Sequence, residues 1–379
     1  MGPLSSFDGK VLHDADFNHA EFPDKITFRN ARFTGKTGFR GAKFKDVADF
    51  TGAHFLGDVD FSAVHFHHNV HFSETEFAGD SDFSKATFHA WGLFNKSRFK
   101  AGMTFESACF LGSAKFGEVD FAADVDFRKA RFVAFVDFQG AVFRGKTAFT
   151  GGSIECKTLF RNARFLKEAG FSDCRFTHPV NFSGASFADA LAFERVTFLQ
   201  FVDFAGAHIA DAFVLSPPQG AQGLAPEIRF ESVRLGQPEK VRFSGISFER
   251  ITLMGTTIRG IRLDNPKWPK KGLLQSTKRA VVCDEIQRET PDPQKLARLY
   301  QDIRANLKKA GTTADLSDLF YSEMEVRRKQ KRGGNDNFYV LRRYFSPYTL
   351  LWLTCGYGRR PARLLIAAAL AGLAYWRIA

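Results

Sequence analysis

Large apolar residues recur along the first half of the chain with a period that fits neither a helix nor a simple strand. One series runs every 11 residues from Phe17 to Phe204, and a second runs with the same step from Phe22 to Ile209. The 36 positions are spaced alternately 5 and 6 apart, and all are Phe except Ile154 and Ile209. Helices bury every third or fourth residue and strands every second. We therefore predict a chain that turns a corner at every step and points one large side chain inward each time.

A small residue stands two positions before each Phe of the second series. Alanine fills most of these sites, from Ala20 to Ala207. Because residues two apart in a strand point to the same side, each of these steps carries one small and one large inward residue. The residues that follow each Phe are turn formers, such as Thr51-Gly52 and Ser183-Gly184. The pattern thus predicts flat faces separated by tight corners.

The motif Ala15-Asp16-Phe17, which recurs as Ala48-Asp49-Phe50, resembles the bacterial pentapeptide-repeat family. The resemblance covers residues 12–212 well and residues 228–263 loosely. It implies an all-β solenoid, a right-handed quadrilateral β-helix with Phe rings stacked on its axis. The additional residue in every second corner predicts 22-residue coils. Spacing alone also allows a different number of faces.

We predict four regions along the chain. They are the pentapeptide-repeat β-helix (residues 1–213), a loop with degenerate terminal coils (214–270), a helical hairpin with a basic end (271–340) and a membrane-anchoring segment (341–379). The loop is predicted from Pro217-Pro218, and the hairpin from the helical spacing of Leu296, Leu299 and Ile303. The fold class is therefore an all-β solenoid followed by a small α-helical C-terminal region.

The positive charge of the chain is concentrated at its C-terminal end. Residues 327–379 hold 11 Lys or Arg and one acid, a net charge of +10, which leaves +2 of the total of +12 for residues 1–326. This distribution favours an anionic membrane surface as partner and argues against nucleic acid. The membrane-facing basic residues that we predict are Arg327, Arg328, Lys329, Lys331, Arg332, Arg342, Arg343, Arg359, Arg360 and Arg363.

The C-terminal segment combines these charges with an apolar stretch. Residues 364–376 are uncharged and rich in Ala and Leu, but a full span needs roughly 20 residues. They predict a marginal span, an interfacial anchor or the start of a longer span. Gly356-Tyr357-Gly358, followed by Pro361 and Arg363, resembles the C-terminal membrane region of a subset of pentapeptide-repeat proteins. Basic residues before the apolar stretch place the repeat domain on the cytoplasmic side of the membrane.

No group of residues in the sequence predicts catalysis, a cofactor or a metal site. Seven aspartates, from Asp16 to Asp203, each precede a first-series Phe, so we interpret them as outward repeat residues. The His-rich patch at residues 65–71 places His65 and His71 on different faces, so we predict solvated histidines rather than metal ligands. Five cysteines without a C-x-x-C pair predict free thiols in a reducing cytoplasm.

One edge of the predicted rod carries large apolar residues. Trp91, Phe135 and Phe201 are multiples of 22 apart, so they occupy the same corner of different coils. The predicted interaction edge consists of Trp91, Leu111, Val133, Phe135, Leu199 and Phe201. A contiguous apolar stripe marks an interface. We expect this edge to be covered by the chain's own loop 214–226 or helices 273–331, or else by a partner.

These observations predict a non-enzymatic, membrane-tethered repeat scaffold that mediates protein interaction at the cytoplasmic membrane face. Its partners would be anionic lipids and an unidentified protein or a second copy of the chain. One alternative is a membrane-permeability protein whose C-terminal segments assemble a channel-like pore, with the rod as sensor. Another, which the resemblance implies for some family members, is a nucleic-acid mimic that binds a topoisomerase. That alternative requires a continuous acidic surface, and the nearly neutral repeat region argues against it.

Overall fold

The structure is a computed structural model and describes residues 6–219, 226–272, 278–287, 291–313, 315–330, 351–352 and 357. The chain from Val11 to Asp264 forms a β-solenoid whose turns stack through parallel strands. Most strands contain two residues, since each step leaves room for only two extended residues before the next corner. Four parallel sheets run along the rod, numbered here in the order in which the chain enters them.

The four sheets contain 11, 9, 11 and 11 strands. Sheet 1 consists of Val11–His13, Arg32–Thr34, His54–Phe55, Glu76–Phe77, Arg98–Phe99, Asp120–Phe121, Val142–Phe143, Arg164–Phe165, Ser186–Phe187, His208–Ile209 and Arg234–Leu235. Sheet 2 consists of Glu21–Phe22, Lys43–Phe44, His65–Phe66, Thr87–Phe88, Cys109–Phe110, Arg131–Phe132, Ser153–Ile154, Arg175–Phe176 and Thr197–Phe198.

Sheet 3 consists of Ile26–Thr27, Ala48–Asp49, Val70–His71, Gly92–Leu93, Ala114–Lys115, Val136–Asp137, Thr158–Leu159, Val180–Asn181, Val202–Asp203, Ile228–Arg229 and Ile251–Thr252. Sheet 4 consists of Thr37–Gly38, Val59–Asp60, Ser81–Asp82, Met103–Thr104, Val125–Asp126, Thr147–Ala148, Ala169–Gly170, Leu191–Phe193, Phe213–Leu215, Val241–Ser244 and Arg262–Asp264.

The strands pair with a register of 22 residues through the regular part of the rod. His65, for example, pairs with Lys43 on one side and with Thr87 on the other. The predicted β-solenoid is confirmed, and the period read from the sequence is present in its hydrogen bonding.

Aromatic rings fill the axis of the solenoid in columns. Phe28, Phe50 and Phe72 stack with ring centroids 4.8 and 4.9 Å apart, and Phe39 meets Phe50 edge-on at 5.6 Å. All ladder residues from 28 to 209 are at most 6% exposed. The predicted inward ladder is therefore the hydrophobic core of the rod.

The two-residue corners after the first-series Phe depend on a left-handed residue. After Phe28, Asn30 has φ 54°, and the amide of Ala31 donates to the Phe28 carbonyl at 3.1 Å. The aspartate that precedes the Phe supports the same corner: Asp82 Oδ1 accepts from the amide of Ser84 at 2.7 Å. All seven of the repeat aspartates accept this bond from the amide two residues later. Their position in the sequence thus reflects turn formation.

The register becomes irregular at the C-terminal end of the solenoid. Val202 pairs with Ile228 and Phe213 with Val241, and the 3-10 helices Pro238–Lys240 and Phe248–Arg250 interrupt the last turns. The strands of these turns still pair in parallel with the solenoid, but with insertions that the Phe pattern does not show. Beyond them, Trp268 is buried against Phe248, with centroids 4.9 Å apart. The strands Lys270–Lys271 and Arg279–Ala280 then form an antiparallel pair.

Three helices follow: α1 (Asp284–Gln287), α2 (Pro293–Lys309) and α3 (Leu316–Gln330). Asp292 caps α2 by accepting from the amides of Gln294 and Lys295, and Gly311, at φ 70°, follows its end. Helix α2 buries the apolar face predicted from its spacing and packs against α3, so the helical hairpin is present. The interior of the helical region continues the core of the solenoid.

Candidate interaction surfaces

The three-residue corners give the rod two edges whose side chains face outward. One edge joins sheet 2 to sheet 3, and the other joins sheet 1 to sheet 4. The corner backbones pair across coils: the amide of Val70 donates to the Trp91 carbonyl at 2.9 Å, and that of Ala114 donates to the Phe135 carbonyl at 2.9 Å. Equivalent corner residues therefore lie in columns along the rod.

The structure brings the six residues of the predicted interaction edge together on the edge between sheets 2 and 3. Trp91 is 55% exposed, Leu199 51% and Leu111 37%. Neither the described part of loop 214–226 nor the described helices cover these three side chains. The edge thus presents apolar surface to the surroundings of the chain.

Two aromatic residues of the edge are partly covered by cations. Lys115 Nζ lies 4.2 Å from the ring centroid of Phe135, and the Arg229 guanidinium lies 5.8 Å from that of Phe201. Both cations come from sheet 3, whose outward side chains flank the corner. A cation over an aromatic face is attracted by the ring quadrupole. Lys115 also pairs with Asp137 at 3.9 Å and Arg229 with Asp203 at 3.2 Å, so the edge is apolar in the middle and flanked by ion pairs.

A group of histidines continues the same edge toward the N-terminus. The ring of His67 stacks on that of His89 with centroids 4.8 Å apart, and His65 lies 6.2 Å from His67 and 6.3 Å from His89. Burial lowers the pKa of His65 and His67, and neighbouring cationic side chains, including Lys45, add to the effect. Among the residues that the structure describes, no group of side chains has the arrangement of a metal site. The lowered pKa disfavours the charged form of His65 and His67.

His89 was missing from the histidine patch identified in the sequence. It lies 22 residues after His67, which is the signal that links them. His71, by contrast, belongs to sheet 3, on a different face from His65 as predicted.

Aspartates line a groove on the outer face of sheet 4 and its edge with sheet 1. The groove has a volume of about 720 Å³, and its acidic residues are Asp58, Asp60, Asp80, Asp82, Asp124 and Asp126. Asp80 Oδ1 accepts from the amide of Gly102, and Asp58 Oδ1 accepts from the amide of Asp80. One carboxylate oxygen of each therefore stabilises the backbone. Lys36, Arg128 and Lys146 interrupt the acidic face.

Buried carboxylates attach the helical region to the solenoid. Asp284 accepts hydrogen bonds from the amides of Leu253, at 2.9 Å, and Met254, at 2.8 Å, and its burial raises its pKa. Glu285 accepts from the Tyr300 hydroxyl at 2.6 Å and pairs with Arg279 at 3.0 Å. Burial raises the pKa of Glu285, but these partners outweigh it and leave the pKa lowered. The spacing of residues in the sequence does not predict these contacts of Asp284 and Glu285.

Two of the predicted membrane-facing residues lie against acidic residues of α3. Arg327 Nε pairs with Glu323 at 2.9 Å. Arg328 is only 8% exposed, pairs with Glu325 at 2.8 Å and lies over the Trp352 ring at 4.6 Å. The structure therefore places the Arg328 charge inside the helical region and not at its surface.

The other predicted membrane-facing residues lie outside the described side chains: Lys329, Lys331, Arg332, Arg342, Arg343, Arg359, Arg360 and Arg363. Most of the predicted anchoring segment lies outside the described residues as well. Within the described part of the chain, the helices are too short or too polar to cross a bilayer.

The described cysteines include no disulfide. Cys109, Cys156, Cys174 and Cys283 are free thiols, and Cys355 lies outside the described residues. Cys174 occupies a small inward site, as predicted, and burial raises its pKa to about 12. Its thiol is therefore not an activated nucleophile.

Comparison with known proteins supports the repeat pattern. Residues 17–65 match a family model described as pentapeptide repeats (9 copies). No curated protein matches the chain. A solved structure of full-length QnrB1, described as a plasmid-mediated fluoroquinolone resistance protein, matches at 16% identity over 69% of this chain and 94% of that one. The TM-score of this match is 0.17.

Proposed function

We propose that this pentapeptide-repeat solenoid is a non-enzymatic scaffold that binds a protein along the edge between sheets 2 and 3. In the same proposal, the coil is right-handed and four-sided, and the C-terminal segment tethers it to anionic lipids at the cytoplasmic face of the membrane. The observation that carries the proposal is the exposure of Trp91, Leu111 and Leu199 on one edge. Burying a large apolar side chain contributes roughly 1.5–3 kcal/mol.

The packed Phe rings of the axis hold the edge rigid, which favours binding of a partner there. Backbone hydrogen bonds fix each corner at the same position in successive coils. A partner that docks on such an edge would not have to order a flexible loop, and preorganisation of this kind lowers the cost of binding. The exposed aromatic residue Trp91 belongs to a residue type that is enriched at interface hot spots.

The edge can be tested with a matched pair of substitutions. Leu111 and Leu56 both occupy the first site of a three-residue corner, both are exposed, and the amide of each donates to a carbonyl at 2.9 Å. Leu111 lies on the proposed edge, and Leu56 lies on the edge between sheets 1 and 4. We expect Leu111→Asp to abolish the complexes formed in cells and Leu56→Asp to leave them intact.

Site-specific photo-crosslinking identifies the bound protein. A crosslinker placed at position 91 should capture one partner, or a second copy of the chain, whereas the same group at position 56 should not. Equal crosslinking at the two positions, or equal loss of complexes in the two aspartate variants, would show that the edge has no special role. The oligomeric state of the purified chain separates self-association from a different partner.

The membrane part of the proposal is supported by the charge of residues 327–379 and the apolar residues 364–376. Cells that express the full chain or residues 1–340 provide the test. We expect the full chain in the membrane fraction and the shorter chain in the soluble fraction. If residues 1–340 sediment with membranes to the same extent, the anchor lies elsewhere.

A second candidate function, the topoisomerase-binding nucleic-acid mimic, is favoured by the aspartate columns of the sheet 4 groove. Asp80→Asn and Asp124→Asn remove charge while an amide oxygen can still accept the backbone hydrogen bond. If the chain inhibits DNA supercoiling by a topoisomerase, this pair of substitutions should relieve the inhibition. Absence of inhibition by the unmodified chain would exclude this candidate.

A further inference from the structure

A cleft of about 380 Å³ lies where α2 docks on the last turn of the solenoid. The solenoid contributes Thr257 and Arg259, and α2 contributes Gln294, Arg298 and Gln301. Residues three or four apart lie on the same face of a helix, so the three α2 side chains face the cleft together. Its volume falls within the range of roughly 300–1,000 Å³ that is typical of ligand sites.

The position of the cleft is fixed by buried hydrogen bonds. The side chain of Asn306 donates to the Ile258 carbonyl at 2.8 Å and accepts from the Gly260 amide at 2.7 Å. Ile258 and Gly260 flank Arg259, so the backbone of Arg259 is held against α2. On the α3 side of the cleft, Arg327 is held by Glu323. The cleft therefore does not depend on a flexible loop.

The cleft and its rim carry an excess of positive charge. Three arginines (Arg259, Arg298 and Arg327) and one carboxylate (Asp302) line the cleft, and Glu323 and Arg304, which extend the ion pair of Arg327, leave the net charge of the group at +2. Glu323 is shared by Arg304 and Arg327. In the part of the chain that the structure describes, Arg259 and Arg298 form no ion pair within 4.0 Å.

The buried carboxylate Asp302 lies near these two arginines but forms no ion pair with either of them within 4.0 Å. Arg298 and Arg259 lower its pKa, but burial has the larger effect and leaves the pKa raised. Both guanidinium groups are exposed at the cleft and keep their hydrogen-bond donors available to a ligand.

We propose that this cleft binds a phosphate monoester. Such a group carries a charge of about −1.5 to −2 near neutral pH, which matches the charge of the cleft. The arginine fork donates two parallel hydrogen bonds to a pair of phosphate oxygens, and Arg259 and Arg298 are both available to do so. Thr257, Gln294 and Gln301 add neutral donors beside them. Phosphorylated small molecules and the headgroup of phosphatidic acid share this chemistry.

Binding should be measured on the full chain with three probes. They are inorganic phosphate, glycerol 3-phosphate, and phosphatidylcholine vesicles with and without phosphatidic acid. The variants Arg259→Ala and Arg298→Ala should each weaken binding at least about tenfold, as expected for the loss of hydrogen bonds to a charged group. Arg98→Ala removes an exposed arginine of sheet 1 and is the matched control. The inference does not depend on the proposed scaffold function.

Removing the opposing carboxylate gives a test in the other direction. Asp302→Asn leaves the size of the side chain nearly unchanged, so it should tighten binding of the same probe. Saturable binding of glycerol 3-phosphate would identify a soluble ligand, and binding only to vesicles that contain phosphatidic acid would identify the lipid. Either result supports the site if the cleft variants weaken it. The proposal is overturned if none of the probes binds, or if Arg98→Ala weakens binding as much as Arg298→Ala does.

Discussion

Replacing one ring of the axis should reveal how much of the stability of the solenoid resides in the Phe columns. Phe105 is fully buried in the middle of the rod. It stacks between Phe83, at 5.0 Å, and Phe127, at 5.2 Å, and meets Phe94 and Phe116 edge-on at 5.6 Å. Phe105→Ala removes these four ring contacts and the tilted contacts with Phe88 and Phe110. It leaves a cavity that neighbouring coils cannot fill, because their backbones are held in register. We expect it to lower the free energy of unfolding by about 3–5 kcal/mol.

The chain supplies a control with the same chemistry. Phe135 lies on a corner and is only partly buried, with Lys115 over its ring. Phe135→Ala removes the same atoms from the surface, so its cost should stay below about 1 kcal/mol, the usual scale of an exposed cation–π contact. The difference between the two losses in free energy of unfolding measures the effect of burial on the axis, separately from the effect of removing a ring as such.

Urea unfolding of both variants, followed by circular dichroism, measures this difference. Because solenoids can unfold in parts, amide hydrogen exchange of Met103–Thr104 and Val125–Asp126 should accompany it. We expect loss of protection in these strands of Phe105→Ala. Equal costs for the two variants, or a cost below about 1 kcal/mol for Phe105→Ala, would show that the rings do not hold the coils together.

Three further predictions concern carboxylates. Asp82→Ala should destabilise the rod by about 0.5–1.5 kcal/mol in urea unfolding, because the Ser84 amide loses its acceptor, and Asp82→Asn should restore most of the loss. Burial raises the pKa of Asp49, but bonds from Thr51 and Arg29 outweigh it and leave the pKa lowered. The stability that Asp49 contributes is thus present above its unfolded pKa of about 3.9 and lost as the pH falls through the folded pKa; Asp49→Asn should flatten this part of the pH dependence of Tm. Asp284→Ala leaves two buried amides without their acceptor and should cost about 1–3 kcal/mol, with hydrogen exchange rising first in the helical region; exchange that rises first in the solenoid would contradict this.

The regular part of the fold could be predicted because the same pattern recurs in every repeat. A Phe at every fifth or sixth position indicates which side chains point inward, and the extra corner residue indicates the 22-residue register of strand pairing. The role of the aspartates could be predicted only in part from the sequence. Their outward position was predicted, but the hydrogen bond that the Ser84 amide donates to Asp82 belongs to a corner with a positive φ, and the residue there is Lys85, not one of the Gly or Asn residues that signal such a turn.

The C-terminal part of the structure could not be predicted to the same depth, because nothing in it repeats. The burial of Arg328 depends on Glu325 and Trp352, and Trp352 lies more than twenty positions away in the sequence. The attachment of Asp284 to Leu253 and Met254 likewise needs knowledge of where the chain returns to the solenoid. Helical spacing indicates which face of α2 is apolar, but not which polar groups lie on the surface against which α2 packs. Such contacts become visible only when the packing is known.

At the corners of the rod, a side chain can contribute to binding without contributing to stability. The backbone of Trp91 is held by two bonds that do not involve its indole: its amide donates to Asn69 Oδ1 at 3.1 Å, and its carbonyl accepts from the Val70 amide. The indole itself is more than half exposed and adds no ring to the axis. Replacing it should therefore leave the unfolding transition unchanged, even though the same substitution on the axis would be severe. If Trp91→Ser alters association without altering unfolding, the edge belongs to recognition. If it alters unfolding as well, the indole contributes to the fold, and the argument for a partner at this edge loses its basis.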